Sequence, residues 1–219
     1  MPPRRPAPPP PTTVFFVRHG QTATTGKVLP GRATGLHLSD TGRQQAEAVA
    51  ERIGAVTDGG DTVAAIYSSP LERTRETAAP IAKRLGVKVR VERDLLECDF
   101  GEWTGKQLKT LMKKPEWQTV QRYPTGFRFP KGESFPEMQA RIERAVDKMR
   151  ERHPGRIVVA VSHADPIKAV VAAAMGTPLD LFQRIVVSPC SVTVIVFGVG
   201  GPTVLAVNTV GALTDLKPS

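Results

Sequence analysis

Three short apolar runs, Val14 to Val17, Ala64 to Tyr67 and Ile157 to Val161, each end at once in polar residues, and a helix signal follows each of them. A run of four or five residues without polar interruption is the pattern of a strand buried on both faces. Strands that alternate with helices run parallel, because the chain crosses back over the sheet between them. The helix signals are specific. Thr41 and Gln44 have capping-box spacing ahead of an apolar stripe of Ala46, Val49, Ala50 and Ile53, which predicts a helix over about 41–54. Ser69-Pro-Leu-Glu72 predicts a helix with Ser as N-cap, ending near Leu85-Gly86. Val87 to Val91 alternates apolar and basic residues, as an exposed strand does. Ser134 and Glu137 open a helix to about Arg152, and Asp165-Pro166 caps another to about Met175. Val192 to Phe197 and Thr203 to Val207 read as a hairpin. The chain is therefore an α/β protein with a largely parallel sheet covered by helices.

Sheets of this kind bind ligands at the carboxyl ends of their strands. Arg18-His19 and Ser162-His163 stand there, and Ser68-Ser69 at a third strand end leads to Arg73. Two guanidiniums offer forked donors for phosphate or carboxylate oxygens, and imidazole can act as nucleophile, acid or ligand. A formal charge of +9, from 30 Lys+Arg against 21 Asp+Glu, points to an anionic partner. Two cysteines, Cys98 and Cys190, exclude a disulfide scaffold and a multi-thiolate metal site, and fit a reducing, cytoplasmic setting. No apolar run approaches the roughly 20 residues that span a bilayer, so no membrane is expected. Residues 1–13 hold seven of the 20 prolines and read as a disordered, extended tail ahead of a single domain at 14–219.

Phe16-Val-Arg-His-Gly20 resembles the Arg-His-Gly signature of the histidine phosphatase superfamily, the phosphoglycerate-mutase-like proteins. Three further stretches resemble that family in its own order. They are Ser68 to Ala78 as the second-arginine helix, Leu95 to Gly105 as the acid-donor loop, and Val161-Ser-His163 as the second histidine. Within the family the chain is similar to an actinobacterial branch of phosphomutases and phosphatases, and Pro189-Cys-Ser-Val192 also looks like that branch. The resemblance implies a three-layer α/β/α sandwich and a set of roles. His19 accepts the phosphoryl group and becomes phosphohistidine, while Arg18, Arg73 and His163 hold its oxygens. Glu97 protonates the leaving alkoxide and then activates water. Neither metal nor cofactor is implied. A raised pKa for Glu97 near Phe100 and Trp103 would suit an acid.

Departures from the family pattern are visible. Thr25 stands where many members carry Asn, Pro30-Gly31 where many carry Gln-Gly, and Ala164 where a Gly follows the second histidine. Thr25, Gly31 and Ala164 are the positions implied as auxiliary phosphate contacts. Phosphoglycerate mutases follow the acid with Arg and Tyr, whereas Cys98 and Phe100 stand here. That favours a metal-independent phosphomonoester hydrolase over a phosphomutase. A weakly catalytic phospho-ligand binding or regulatory protein is the alternative outside enzymology. Residues 103–132 hold seven basic residues and one acid, Glu116, and six of the 12 aromatics lie between Trp103 and Phe135. The segment at about 103–135 reads either as a basic, aromatic lid for an anionic substrate or as solvated helices on a small aromatic core. It carries no nucleic-acid module signature, so no nucleic-acid partner is expected. A small phosphorylated substrate and a second copy of the chain, as a homodimer, are the expected partners. Gly26-Lys27 lacks P-loop spacing. His37 and His153 read as structural, and Cys98 reads either as an oxidation-sensitive thiol or as a packed one.

Overall fold

A computed structural model describes residues 8–211 and residue 213. Residues 1–7 of the proline-rich stretch lie outside the described residues. Six strands form one sheet: β1 Thr12–Arg18, β2 Val63–Ser68, β3 Val89–Val91, β4 Ile157–Ser162, β5 Val192–Gly198 and β6 Gly201–Thr209. Their spatial order is β3-β2-β4-β1-β5-β6. The first four in that order are parallel, and β5 and β6 are antiparallel additions beside β1. The fold is the expected α/β one with a mostly parallel sheet.

Alternation along the strands explains why they read as unbroken apolar runs. Val14 and Phe16 face one core together with Val158 and Ala160 of β4. Phe15 and Val17 face the other core together with Val159 and Val161. Helices α1 (Asp40–Asp58) and α2 (Glu72–Leu85) cover this second face, and α5 (Phe135–Arg152) and α6 (Ala164–Ala174) cover the first. Each fully buried Val, Ile or Phe contributes roughly 1.5–3 kcal/mol, so neither face can be left uncovered.

Several local expectations are corrected. The sheet begins at Thr12, so the last two residues of the stretch read as a tail belong to β1. Helix α1 is capped by Ser39, whose hydroxyl accepts from Gly42 N, and not by Thr41. Helix α2 begins at Glu72 after Leu71, without a side-chain cap. The N-cap position of α6 is His163, two residues before Asp165. Strand β3 covers only the last three residues of the stretch from Val87. The Ser134–Glu137 capping box on α5 is present in full.

The segment after Trp103 forms two short helices, α3 Leu108–Leu111 and α4 Glu116–Arg122. Most of its rings pack on one another. Trp103, Phe127 and Phe129 pack on one another, Phe129 meets Phe135, and Phe135 meets Phe182, mostly edge to face. Trp103, Phe129 and Phe135 are buried, so the aromatic half of the pattern is a core.

Candidate active site

The register of the parallel strands sets the site. Arg18 pairs with Ser162 and Ser68 with Val161, so three chain segments leave the sheet at one level. The next residues are His19, Ser69 and His163. His19 N donates to Ser162 O at 3.0 Å and Ser69 N to Val161 O at 3.0 Å, which extends the ladder one step into the site. Gly20 follows His19 because the chain there touches α1: a Cβ on Gly20 would lie 2.6 Å from Gly42 O. Gly20 N is held by Thr77 Oγ1 of α2 at 3.0 Å.

His19 is 5 % exposed, and its Nδ1 lies 2.8 Å from Gly20 O. A carbonyl only accepts, so Nδ1 carries the proton and Nε2 keeps its lone pair. Arg73 Nε donates to that Nε2 at 3.3 Å. Burial, then the charges of Arg73 and Arg18, hold the imidazole well below its ordinary pKa, so it is neutral. His163 is fully buried, and its ring centroid lies 5.2 Å from that of His19. Its Nδ1 accepts from Arg73 at 3.3 Å and its Nε2–H donates to Ser69 Oγ at 2.9 Å. Burial and Arg73 keep it neutral too.

Arg73 comes from the first turn of α2, and its guanidinium also donates to Gly31 O at 2.7 Å. Arg18 donates to Val187 O at 2.6 Å, and among the described residues its buried Nε has no hydrogen-bond partner. Desolvation lowers the pKa of both guanidiniums from its ordinary value. Such an arrangement, two arginines and two neutral imidazoles, can surround the oxygens of a phosphoryl group and offer one nitrogen lone pair to phosphorus.

Glu97 lies on the loop after the 3-10 turn Arg93–Leu95 and is 7 % exposed. Its pKa is raised to about 7, first by burial and then by the negative charge of Asp165; Cys98 N–H, Arg73 and Arg18 oppose the shift. Cys98 is wholly buried and its thiol pKa is pushed well up by burial, so it is the packed thiol of the two readings.

The auxiliary positions divide. Gly31 serves through its carbonyl, which orients Arg73. Thr25 spends its hydroxyl inside its own loop, accepting from Thr22 N at 2.9 Å and meeting Thr22 Oγ1 at 3.0 Å. Ala164 is the first residue of α6 and brings no side-chain donor. His37 pairs with Glu76 at the surface, and His153 meets Tyr67 OH at 3.0 Å, both away from the site.

Four residues at or around the site gave no functional signal in the sequence. Ser69 reads as a helix cap but is taken by His163. Asp165 reads as a cap but sits close enough to Glu97 to act on its charge. Arg32 and Arg141 both donate to the main-chain carbonyl of Glu97. Arg141 did leave a trace: it falls within the apolar stripe of Met138, Ile142 and Ala145 on α5, where a charge needs a buried partner.

Among the described residues no group of three His, Cys, Asp or Glu side chains could hold a metal ion. No described helix is long and apolar enough to cross a membrane.

The model of the histidine phosphatase superfamily (branch 1) matches residues 14–210. Phosphoserine phosphatase 1 of Hydrogenobacter thermophilus is 33% identical over 174 residues, 77% of this chain and 79% of that protein. A probable phosphoglycerate mutase of Photorhabdus laumondii is 30% identical over 183 residues, 82% of each chain. The solved structure of a mycobacterial glucosyl-3-phosphoglycerate phosphatase superposes with a TM-score of 0.80 at 26% identity, covering 91% of this chain and 99% of that one. The chain spans only about half, 54%, of the mycobacterial relatives that match it over 208 residues.

Proposed function

The chain belongs to the histidine phosphatase superfamily, and on that premise we propose that it is a metal-independent phosphomonoester hydrolase working through phosphohistidine on His19. The observation that carries this reading is the 2.8 Å contact between His19 Nδ1 and the Gly20 carbonyl, which selects the tautomer of His19. Its Nδ1–H is fixed on Gly20 O while Nε2 lies unprotonated beside Arg73.

The reaction runs in two displacements. Nε2 of His19 attacks phosphorus, the bond to the ester oxygen breaks, and Glu97 gives its proton to the departing alkoxide. Water then surrenders a proton to Glu97 and attacks the phosphohistidine. The P–N bond breaks, and inorganic phosphate and neutral His19 are restored. Arg18 and Arg73 stabilise the charge on the phosphoryl oxygens in both steps, as phosphoryl transfer mainly requires. His163 braces Arg73 against Ser69. Glu97's pKa of about 7 suits a group that must be an acid first and a base second.

Hydrolysis is preferred to mutase chemistry because the residues after the acid, Cys98 and Phe100, are buried and apolar and have no cation for a substrate carboxylate. Being a histidine acid phosphatase-type enzyme is part of the same proposal, as is action on a small phosphorylated metabolite.

A rapid-quench turnover with labelled phosphomonoesters tests the proposal. An acid-labile, base-stable phosphoenzyme should form and decay to inorganic phosphate. His19→Ala should abolish it with the fold retained, and more than about a tenth of wild-type turnover in that variant would refute the assignment. Transfer to phosphoglycerate in preference to water would favour the mutase reading. Tight phosphate binding without turnover would favour the binding protein.

A further inference from the structure

Glu97 stands on a loop without regular backbone hydrogen bonding, yet a general acid must meet the ester oxygen within a few tenths of an ångström. What fixes that loop is a cluster of side chains outside the phosphate pocket. Arg141, from α5, donates to the carbonyls of Asp94 at 2.7 Å, Leu96 at 2.9 Å and Glu97 at 3.3 Å. It also forms a two-pronged pair with Glu133 at 2.9 and 3.0 Å. Arg32 donates to the same Glu97 carbonyl through Nε at 2.9 Å. Its other two nitrogens go to Glu133 at 2.9 Å and Asp99 at 3.4 Å. Glu133 N in turn donates to Asp99 O at 2.8 Å, and Asp99 N to the Glu133 carboxylate at 3.2 Å.

Arg32 differs from Arg141 in where it comes from. It follows Gly31, whose carbonyl holds Arg73. One short segment therefore grips the phosphate-side arginine with residue 31 and the acid's backbone with residue 32. All three nitrogens of Arg32 have protein partners, so the guanidinium is not left over for substrate. Its side chain is 30% exposed, against 9% for Arg141, so of the two arginines it is the less embedded in the core.

We propose that Arg32 is the positioning residue that sets Glu97 against the phosphoryl pocket, by tying the carbonyl of the acid to the segment that orients Arg73. This rests on the reading of Glu97 as the acid. A planar fork that meets three acceptors at once is a property of arginine that lysine lacks.

The test follows phosphoenzyme formation in single turnovers, with an alkyl phosphate such as glycerol 3-phosphate and with p-nitrophenyl phosphate. Arg32→Met should slow the alkyl ester by roughly 10- to 100-fold, as a misplaced catalytic group does. The aryl ester needs little proton donation and should change by less than about threefold. Arg32→Lys should resemble Arg32→Met on the alkyl ester, and thermal unfolding should move little in either. Equal losses on the two esters, or none on the alkyl one, would overturn the proposal. Glu97→Gln runs beside them. If it is selective for the alkyl ester and Arg32→Met is not, only the positioning role falls. If it is not selective, the acid assignment falls and takes the positioning role with it.

Discussion

Two opposing influences meet on Glu97. Guanidiniums nearby favour its ionised form, while loss of water and the charge of Asp165 favour its neutral form, and the second pair wins. Formation of the phosphoenzyme from alkyl phosphates should therefore hold a plateau on the acid side of about pH 7 and fall above it, since only protonated Glu97 can donate. A flat profile with alkyl esters between pH 5 and 9, measured in single turnovers, would contradict this. The same shift has a sign for stability. The folded pKa lies above the value of 4.5 for a free glutamate, so the folded state holds a proton that the unfolded chain has released. Stability from this group is present below about pH 4.5 and is lost as pH rises to about 7. Glu97→Gln removes the penalty and should be more stable than wild type at pH 8, by on the order of 2–4 kcal/mol, with little gain at pH 4.5. Calorimetry at the two pH values checks it. Arg18, His19 and His163 stood out in the sequence because they sit at or just beyond strand ends, and Arg73 and Glu97 because they lie in motifs that resemble the family's. Arg32 and Asp165 did not. What they do depends on a carbonyl and a carboxylate that lie far off along the chain, and no local pattern records such a meeting.

Helices were legible in their bodies and less so at their starts. Ser134 with Glu137 gave the cap of α5 because both partners of the box are local. Ser69 offered the same kind of signal for α2, and tertiary structure overrode it: the hydroxyl serves His163, and α2 starts at Glu72 without a cap. On α1 the cap is Ser39, two residues before the capping-box Thr41. On α5, Ser134→Ala should cost about 1 kcal/mol. That corresponds to a fall in Tm of roughly 2–4 °C in a chain of this size, with turnover at 25 °C unchanged. Arg141→Met acts on the same helix and should be far worse. It removes the two-pronged partner of Glu133 and leaves the Asp94 and Leu96 carbonyls without their side-chain donor, and breaking a buried pair typically costs about 3–5 kcal/mol. A chemical denaturation midpoint within error of wild type would show that the Arg141 network is ornamental. The aromatic content of residues 103–135 illustrates a third outcome. Composition alone could not decide between a ligand-facing and a core-forming set of rings, because both need the same residues; packing against Phe182 decided it.

The site belongs to no single element: β1, α2 and the β4–α6 junction each bring one part. A ligand that touches all of them binds only the folded protein. Inorganic phosphate at about 100 times its Kd should thus stabilise the fold by about 2.7 kcal/mol, raising Tm by several degrees. Arg73→Ala should abolish that rise, and an equal rise in both proteins would place the anion elsewhere. The sheet order carries one more consequence, for the chain as it is made. The strand that leads into His19, β1, has β4 and β5 as its neighbours, and Arg18 rests on a carbonyl 169 residues away. At roughly 5–20 residues per second of synthesis, that partner follows Arg18 by about ten to thirty seconds. Throughout that interval the nascent polypeptide carries Arg-His-Gly without the two strands that flank β1 in the sheet. The pocket is therefore completed late, and a stalled or truncated translation product carries the signature without the site.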